Sequence, residues 1–340
     1  MSEVSVRKCG VLLAMGLLML GTAADAWVWN PATGRWINEK NLPQPTAELQ
    51  VEAARSLMEQ GEYKRAMRET NKFDKYYLDS EWADDNQFLR GEINLRRGDY
   101  TEAANEFQQV ITNYPGTDLY DTVIAKQYEI GDRFYALGEK RLNKRWTLFR
   151  GRPFKKAIDV YSMVIDNQPF QEAAAEAQYK VGLCHFTRDE YVEAAYEYQR
   201  VLEDYSGSEW VDDASHGLAM CYYEASLPPD YDQTRSKLAI DAIDEFKARF
   251  PEDERGEGLD AKRGEMREKI ARQRLDTARF YEKRRRFTAA RMYYEVVVEQ
   301  FPDTAAATDA KRWREQSGRQ EQPARPGTAE GREGGGCVWG

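Results

Sequence analysis

Six times along the chain a small residue stands in the same local frame: Ala66, Ala103, Ala157, Ala194, Ala239 and Ala290. Three positions earlier come Tyr63, Tyr100, Phe154, Tyr191, Ser236 and Phe287, aromatic in all but one copy. Seven positions later come Phe73, Val110, Val164, Val201, Phe246 and Val297, all apolar. Twelve positions later proline stops the pattern at Pro115, Pro169, Pro251 and Pro302, with Leu78 and Ser206 in the other copies. Four columns held in register over six copies define a self-similar unit. Such a unit buries its apolar face only against its neighbours, which makes a solenoid.

The unit resembles the tetratricopeptide repeat, a helix–turn–helix of about 34 residues. Turns such as Gly61-Glu62-Tyr63 and Gly98-Asp99-Tyr100 end the first helix. The second helix carries the small residue, then apolar positions at i+4 and i+7 on one face, and stops before a proline. The small residues are spaced 37, 54, 37, 45 and 51 apart, so regular units alternate with enlarged ones. The reading is an all-α solenoid over 46–316 of about six units: 46–80, 81–117, 118–170, 171–207, 208–253 and 260–304. A formal net charge of −9 argues against a nucleic-acid binder, which needs a dominant basic surface.

Residues 1–26 read as an export signal. Arg7 and Lys8 precede the apolar run Val11–Leu20, and Ala24-Asp25-Ala26 closes it as a cleavage site. The run is short of the ~20 residues of a membrane span, so cleavage after Ala26 is expected to leave a soluble or peripheral periplasmic chain. Residues 27–45 form an extended lead-in rich in Trp and Pro. Three uses stay open for Trp27, Trp29 and Trp36: packing on the first unit, docking a partner, or lying at a lipid headgroup surface. From Ser317 to Gly340 the composition is that of a disordered tail.

Candidates for chemistry are few. His185 and His216 are the two histidines, both inside repeat helices. His185 adjoins Cys184, but adjacent helical residues do not face each other. Cys184 and Cys221 occupy equivalent positions of neighbouring units, and free buried thiols are favoured over a bridge at that spacing. Acidic pairs such as Asp84-Asp85 fall where helices begin. The expectation is no catalytic residue, no metal, no cofactor, and so no enzyme.

Two basic segments stand out on an acidic chain. Residues 138–156 hold eight Lys/Arg against one acidic residue and are read as an enlarged turn. Arg145, Trp146 and Phe149 are its candidate docking residues. Residues 261–291 hold twelve Lys/Arg against four Asp/Glu, with Arg284, Arg285 and Arg286 at the inter-helix turn. The first suits an acidic partner or anionic headgroups, the second an acidic partner; the alternatives are a solvated insertion whose apolar residues fold back on the solenoid, and a solvated face.

The sixth unit carries the most specific resemblance. Ala278-Arg279-Phe280-Tyr281, Phe287, Ala289-Ala290-Arg291, Tyr294, Val297, Phe301-Pro302-Asp303-Thr304 and Ala310 resemble the last repeat of BamD-like proteins, and Tyr114-Pro115-Gly116-Thr117 resembles their repeat ending. The resemblance covers roughly 46–315. It implies a non-catalytic periplasmic scaffold at the inner face of the outer membrane, part of the β-barrel assembly machinery. Its implied partners are the barrel-inserting subunit and unfolded outer-membrane proteins. Well-known members are lipoproteins with a Cys closing the signal; here Ala26-Trp27 stands in that place, so no lipid anchor is expected. The resemblance also implies that first helices line a concave groove. Counting from the small residues Ala54, Gly91 and Gly131 gives Val51, Arg55, Met58, Phe88, Glu92, Leu95, Tyr128 and Tyr135 as candidates for binding a peptide. The competing class is another periplasmic repeat adaptor, such as a Tol–Pal-type coordinator of the cell envelope. Those tend to carry a coiled coil before the repeats, and 27–45 contain no heptads.

Overall fold

The first helix starts where the sequence can cap it. The Thr46 hydroxyl accepts the Leu49 N–H at 3.3 Å, and α1 (Ala47–Glu59) begins one residue later. In the computed structural model, which describes residues 27–30, 35–38, 42–142 and 152–320, the chain divides into two compact units. The first ends at Leu119 and the second begins at Tyr120.

The first unit contains an antiparallel hairpin, β1 (Trp27–Asn30) and β2 (Arg35–Asn38), followed by α1, α2 (Tyr63–Tyr76), α3 (Ala83–Arg97) and α4 (Tyr100–Asn113). The second contains α5 (Tyr120–Leu142), α6 (Arg152–Asn167), α7 (Glu172–Thr187), α8 (Tyr191–Asp204) and α9 (Val211–Glu224). It continues through α10 (Thr234–Arg249), α11 (Arg255–Lys283), α12 (Phe287–Gln300) and α13 (Ala305–Gln320). Within each unit every helix packs on the next in the chain, and α1–α3, α7–α9 and α9–α11 also meet. That is the contact pattern of stacked helix pairs, and the all-α repeat architecture holds.

The repeat frame is the core. All six small residues of the second helices are fully buried, and so is the apolar column seven positions on, with Phe73 the most exposed at 1%. Helices α4, α6, α10 and α12 each end two residues before a proline, because proline has no N–H to give and restricts its predecessor.

A second, polar frame runs beside the apolar one. The Gln50 side-chain amide donates to the Glu69 backbone carbonyl and carboxylate, both at 2.9 Å. Gln87 donates to Glu106 in the same way, and Gln178 to the Glu197 carboxylate. Each bond ties the first helix of a pair to the second. Gln50 and Gln178 are buried and Gln87 half-buried, and the half-buried glutamate of each pair accepts the amide proton.

Three expectations change. The lead-in includes two paired antiparallel strands, 27–30 and 35–38. The segment 138–156 is helical at both described ends: α5 runs on to Leu142 and α6 starts at Arg152, because Gly138 packs against Phe154 and draws both ends into the stack. Helix α13 continues to Gln320, past the expected end of the solenoid at 316. The export signal (1–26), residues 143–151 and residues 321–340 of the tail lie outside the described residues.

Candidate protein-docking surfaces

What positions the first helices is a glycine-on-ring contact. A Cβ on Gly91 would stand 2.6 Å from the Phe107 ring, and Gly131 and Gly182 meet Tyr161 and Tyr198 just as closely. These rings lie four residues after the small residue of the second helix, so the two columns interlock. The rows flanking the first-helix small residue, three before and four after, therefore sit at the rim of the core.

What that rim exposes differs between helix pairs. Val51 and Met58 tuck under it and are 2% exposed. They are core residues of the α1–α2 pair and offer a peptide no surface, contrary to expectation. Phe88 leans on Phe107 at 5.2 Å and stays half-buried, beside half-buried Glu92 and Leu95. Arg55 is half-buried, with Glu52 4.0 Å away. In the second unit Tyr128 leans on Tyr161 at 5.6 Å, and Tyr135 meets Phe154 edge-on at 5.3 Å.

The second unit extends this rim beyond the residues expected. Tyr179 and Phe186 occupy the same two rows around Gly182, and Tyr179 stacks on Trp210 at 5.2 Å. Between the tyrosines lies an ion cluster. The Lys180 ammonium is 2.7 Å from Asp132 and 3.2 Å from Glu176, and 4.3 Å from the centre of the Tyr128 ring. The Tyr161 hydroxyl donates to Asp132 at 2.7 Å. Burial pushes the Tyr128 and Tyr161 hydroxyls far above their usual range and that of Tyr179 up to about 12, so all three stay neutral donors. The row rule that gave Tyr128 and Tyr135, carried one unit further, names Tyr179 and Phe186.

The basic turn between α11 and α12 repeats a backbone used elsewhere in the chain. Glu62, Asp99, Glu190 and Arg286 each donate their N–H back to the carbonyl five residues earlier, at 2.9–3.0 Å. The preceding residue adopts a left-handed conformation: Gly61, Gly98, Asp189 and Arg285, the last at φ 58°. Three of these helices thus start on an acidic residue, which suits the positive end of a helix; α12 starts on Arg286, which does not. Arg284, Arg285 and Arg286 are exposed, and among the described residues none pairs with a carboxylate. The Arg284 guanidinium lies 4.3 Å from the centre of the Phe280 ring, with exposed Phe287 next along. Arg145, Trp146 and Phe149 lie outside the described residues.

Acid–base and thiol chemistry find little footing. His185 Nδ1 lies 2.8 Å from a Glu190 carboxylate oxygen. Cys184 and Cys221 are free and buried, and burial pushes both thiols up to about 12. Among the described residues no His/Cys/Asp/Glu group could hold a metal, and no helix is long and apolar enough to cross a membrane.

The family described as YfiO, outer membrane lipoprotein, matches residues 133–324, more than half of the chain. The chain belongs to that family. A tetratricopeptide-repeat family matches residues 85–117. Among curated proteins, this YfiO-family chain is similar to the outer membrane protein assembly factor BamD of Caulobacter vibrioides, 24% identical over 176 residues. The match spans 52% of this chain and 55% of that relative, so it reaches only about half the relative's length. Solved repeat structures resemble the fold at low scores. A tetratricopeptide repeat protein from Parabacteroides merdae aligns at TM-score 0.32 with 13% identity, covering 78% of this chain and 96% of its own. The C-terminal part of a repeat protein from Cytophaga hutchinsonii aligns at 0.33 with 16% identity, covering 78% and 87%. No functional weight rests on those two.

Proposed function

We propose that this YfiO-family chain is a non-catalytic scaffold of the machinery that assembles β-barrels in the outer membrane. It works in the periplasm at the inner face of that membrane, binding the barrel-inserting subunit and unfolded outer-membrane proteins. The observation that carries this is the family match over 133–324, a span containing Tyr135, Tyr179 and Phe186 of the rim and the arginine turn of α11–α12. The same match disfavours a Tol–Pal-type coordinator.

The two surfaces have different chemistry and are assigned different partners. The arginine turn offers three unpaired guanidinium groups flanked by exposed phenylalanines, suited to carboxylates on a folded partner. Arg145, Trp146 and Phe149 are proposed to serve the same contact. The rim offers half-buried aromatic rings around the Lys180 ion cluster, suited to an extended peptide. Tyr128, Tyr135, Tyr179 and Phe186 form it in the second unit; Arg55, Phe88, Glu92 and Leu95 are its counterparts in the first.

Affinity capture of the tagged chain from detergent-solubilised envelopes tests the proposal. The barrel-inserting subunit is expected among the captured proteins. Its absence, with capture of envelope-constriction proteins in its place, would overturn the assignment.

A further inference from the structure

The hairpin at the start of the first unit presents an apolar face that the described helices leave open. Trp27, Trp29 and Trp36 are 58%, 48% and 61% exposed. The register pairs Trp29 with Trp36, and cross-strand partners share a face. Trp27 lies two residues before Trp29 and so shares it too. The Trp29 and Trp36 rings meet edge-on at 5.6 Å, which stiffens a ribbon of only two strands. Three indoles therefore stand together on one side of the hairpin.

The geometry points to the headgroup layer of a phospholipid bilayer as what this face meets. An indole joins a flat apolar body to one N–H donor, the combination favoured where hydrocarbon gives way to water. A protein-docking hot spot instead needs a surrounding ring of contacts to exclude water, and two strands about 4.8 Å apart are too narrow to supply one. Charge points the same way. The chain carries 58 Asp and Glu, yet Arg35 is the one charged residue of 27–38. The hairpin can approach anionic phosphates without the repulsion that the rest of the chain meets. Membership of an outer membrane lipoprotein family puts a bilayer within reach. The inference does not depend on which protein the repeats bind.

The test is flotation of the full chain from Trp27 onward with vesicles of phosphatidylethanolamine and phosphatidylglycerol. Lipids brominated high on the acyl chain serve as quenchers of indole fluorescence. The unaltered chain is expected to float and to be quenched. Replacing all three tryptophans with alanine should weaken partition at least tenfold, with helical content and melting midpoint unchanged. Trp27→Ala alone spares the Trp29–Trp36 pair, and so the hairpin, and should weaken partition several-fold. An unaltered chain left in the aqueous phase, or a triple variant that floats as well as its parent, overturns the inference. So does loss of a captured envelope protein by the triple variant when neither chain floats, which would make the face a protein-docking site. Loss of the barrel-inserting subunit would leave the flotation result intact, so the two ideas fail separately.

Discussion

The ring of Tyr198, on α8, is held between two glycines: a Cβ on Gly182 of α7 or on Gly217 of α9 would stand 2.7 Å from it, at its Cε1 and Cε2 edges respectively. One rigid side chain thus locks the first helices of two consecutive repeats to the helix between them. Such contacts leave no space for a methyl group without moving a helix.

Gly182→Ala should therefore destabilise the chain by about 1–3 kcal/mol through overpacking. Adding Tyr198→Leu should recover part of that loss, because the rigid ring is what the methyl group strikes. Thermal melts of the two variants check this. An alanine variant that melts with the parent would mean the helices are not in close contact there.

Arg285 holds a left-handed backbone where two equivalent turns use glycine. Arg285→Gly should stabilise the fold by about 1 kcal/mol, because a side chain is strained in that conformation. It should also weaken capture of an acidic partner. Reversing Arg284, Arg285 and Arg286 to glutamate should slow association and flatten its salt dependence at unchanged helical content. Surface-binding kinetics at two ionic strengths read both effects; equal binding at low and high salt in the parent would exclude charge steering.

The Arg255 guanidinium grips Asp253 through three hydrogen bonds at 2.6, 2.9 and 3.1 Å, and reaches Asp212 and Asp213 as well. The guanidinium holds the Asp253 carboxyl down at about 2, against 3.8 ordinarily. The folded chain takes up that proton later than the unfolded one. The resulting stabilisation is complete above about pH 4 and drains away as pH falls towards 2. In Asp253→Asn the melting midpoint should fall less steeply across that window; an unchanged slope would show the pair is inert.

The thiols of Cys184 and Cys221 are protonated at any physiological pH. In a Cys337→Ser background, neither should react with iodoacetamide at pH 8 until urea is added. Their contribution to stability is present below the ordinary thiol range and is lost as pH rises towards 12. Labelling of either cysteine in the folded chain, located by peptide mapping, would contradict their burial.

The solenoid was legible because its periodicity is apolar. Ala103, Val110 and Pro115 recur as types wherever a unit recurs, and each type has one physical job. The polar frame of Gln50, Gln87 and Gln178 is equally regular but illegible in the sequence, since glutamine on a helix is ordinarily solvent-facing and only the partner helix shows what it bonds. The burial of Val51 and Met58 is not legible, because a row counted on one helix does not say how deep that helix lies. The hairpin was hidden by its length: four residues on either side of Pro-Ala-Thr-Gly do not alternate long enough to declare a strand. The helical ends of the 138–156 segment were masked by their charge, and it is the close fit of Gly138 to Phe154 that holds them.

The glutamine–glutamate bonds also divide the repeats into two kinds. They occur in the first, second and fourth helix pairs, always nineteen residues apart, and each stays inside its own pair. The third, fifth and sixth pairs replace the glutamate-side residue with Val160, Ala242 and Tyr293, and it is around them that the spacing stretches to 54, 45 and 51. The third pair is fastened elsewhere, by Tyr161 to Asp132 and Asn167 to Gln127. The glutamine–glutamate bonds are thus rivets of one fixed length, and a unit that grows must give them up for fastenings of its own.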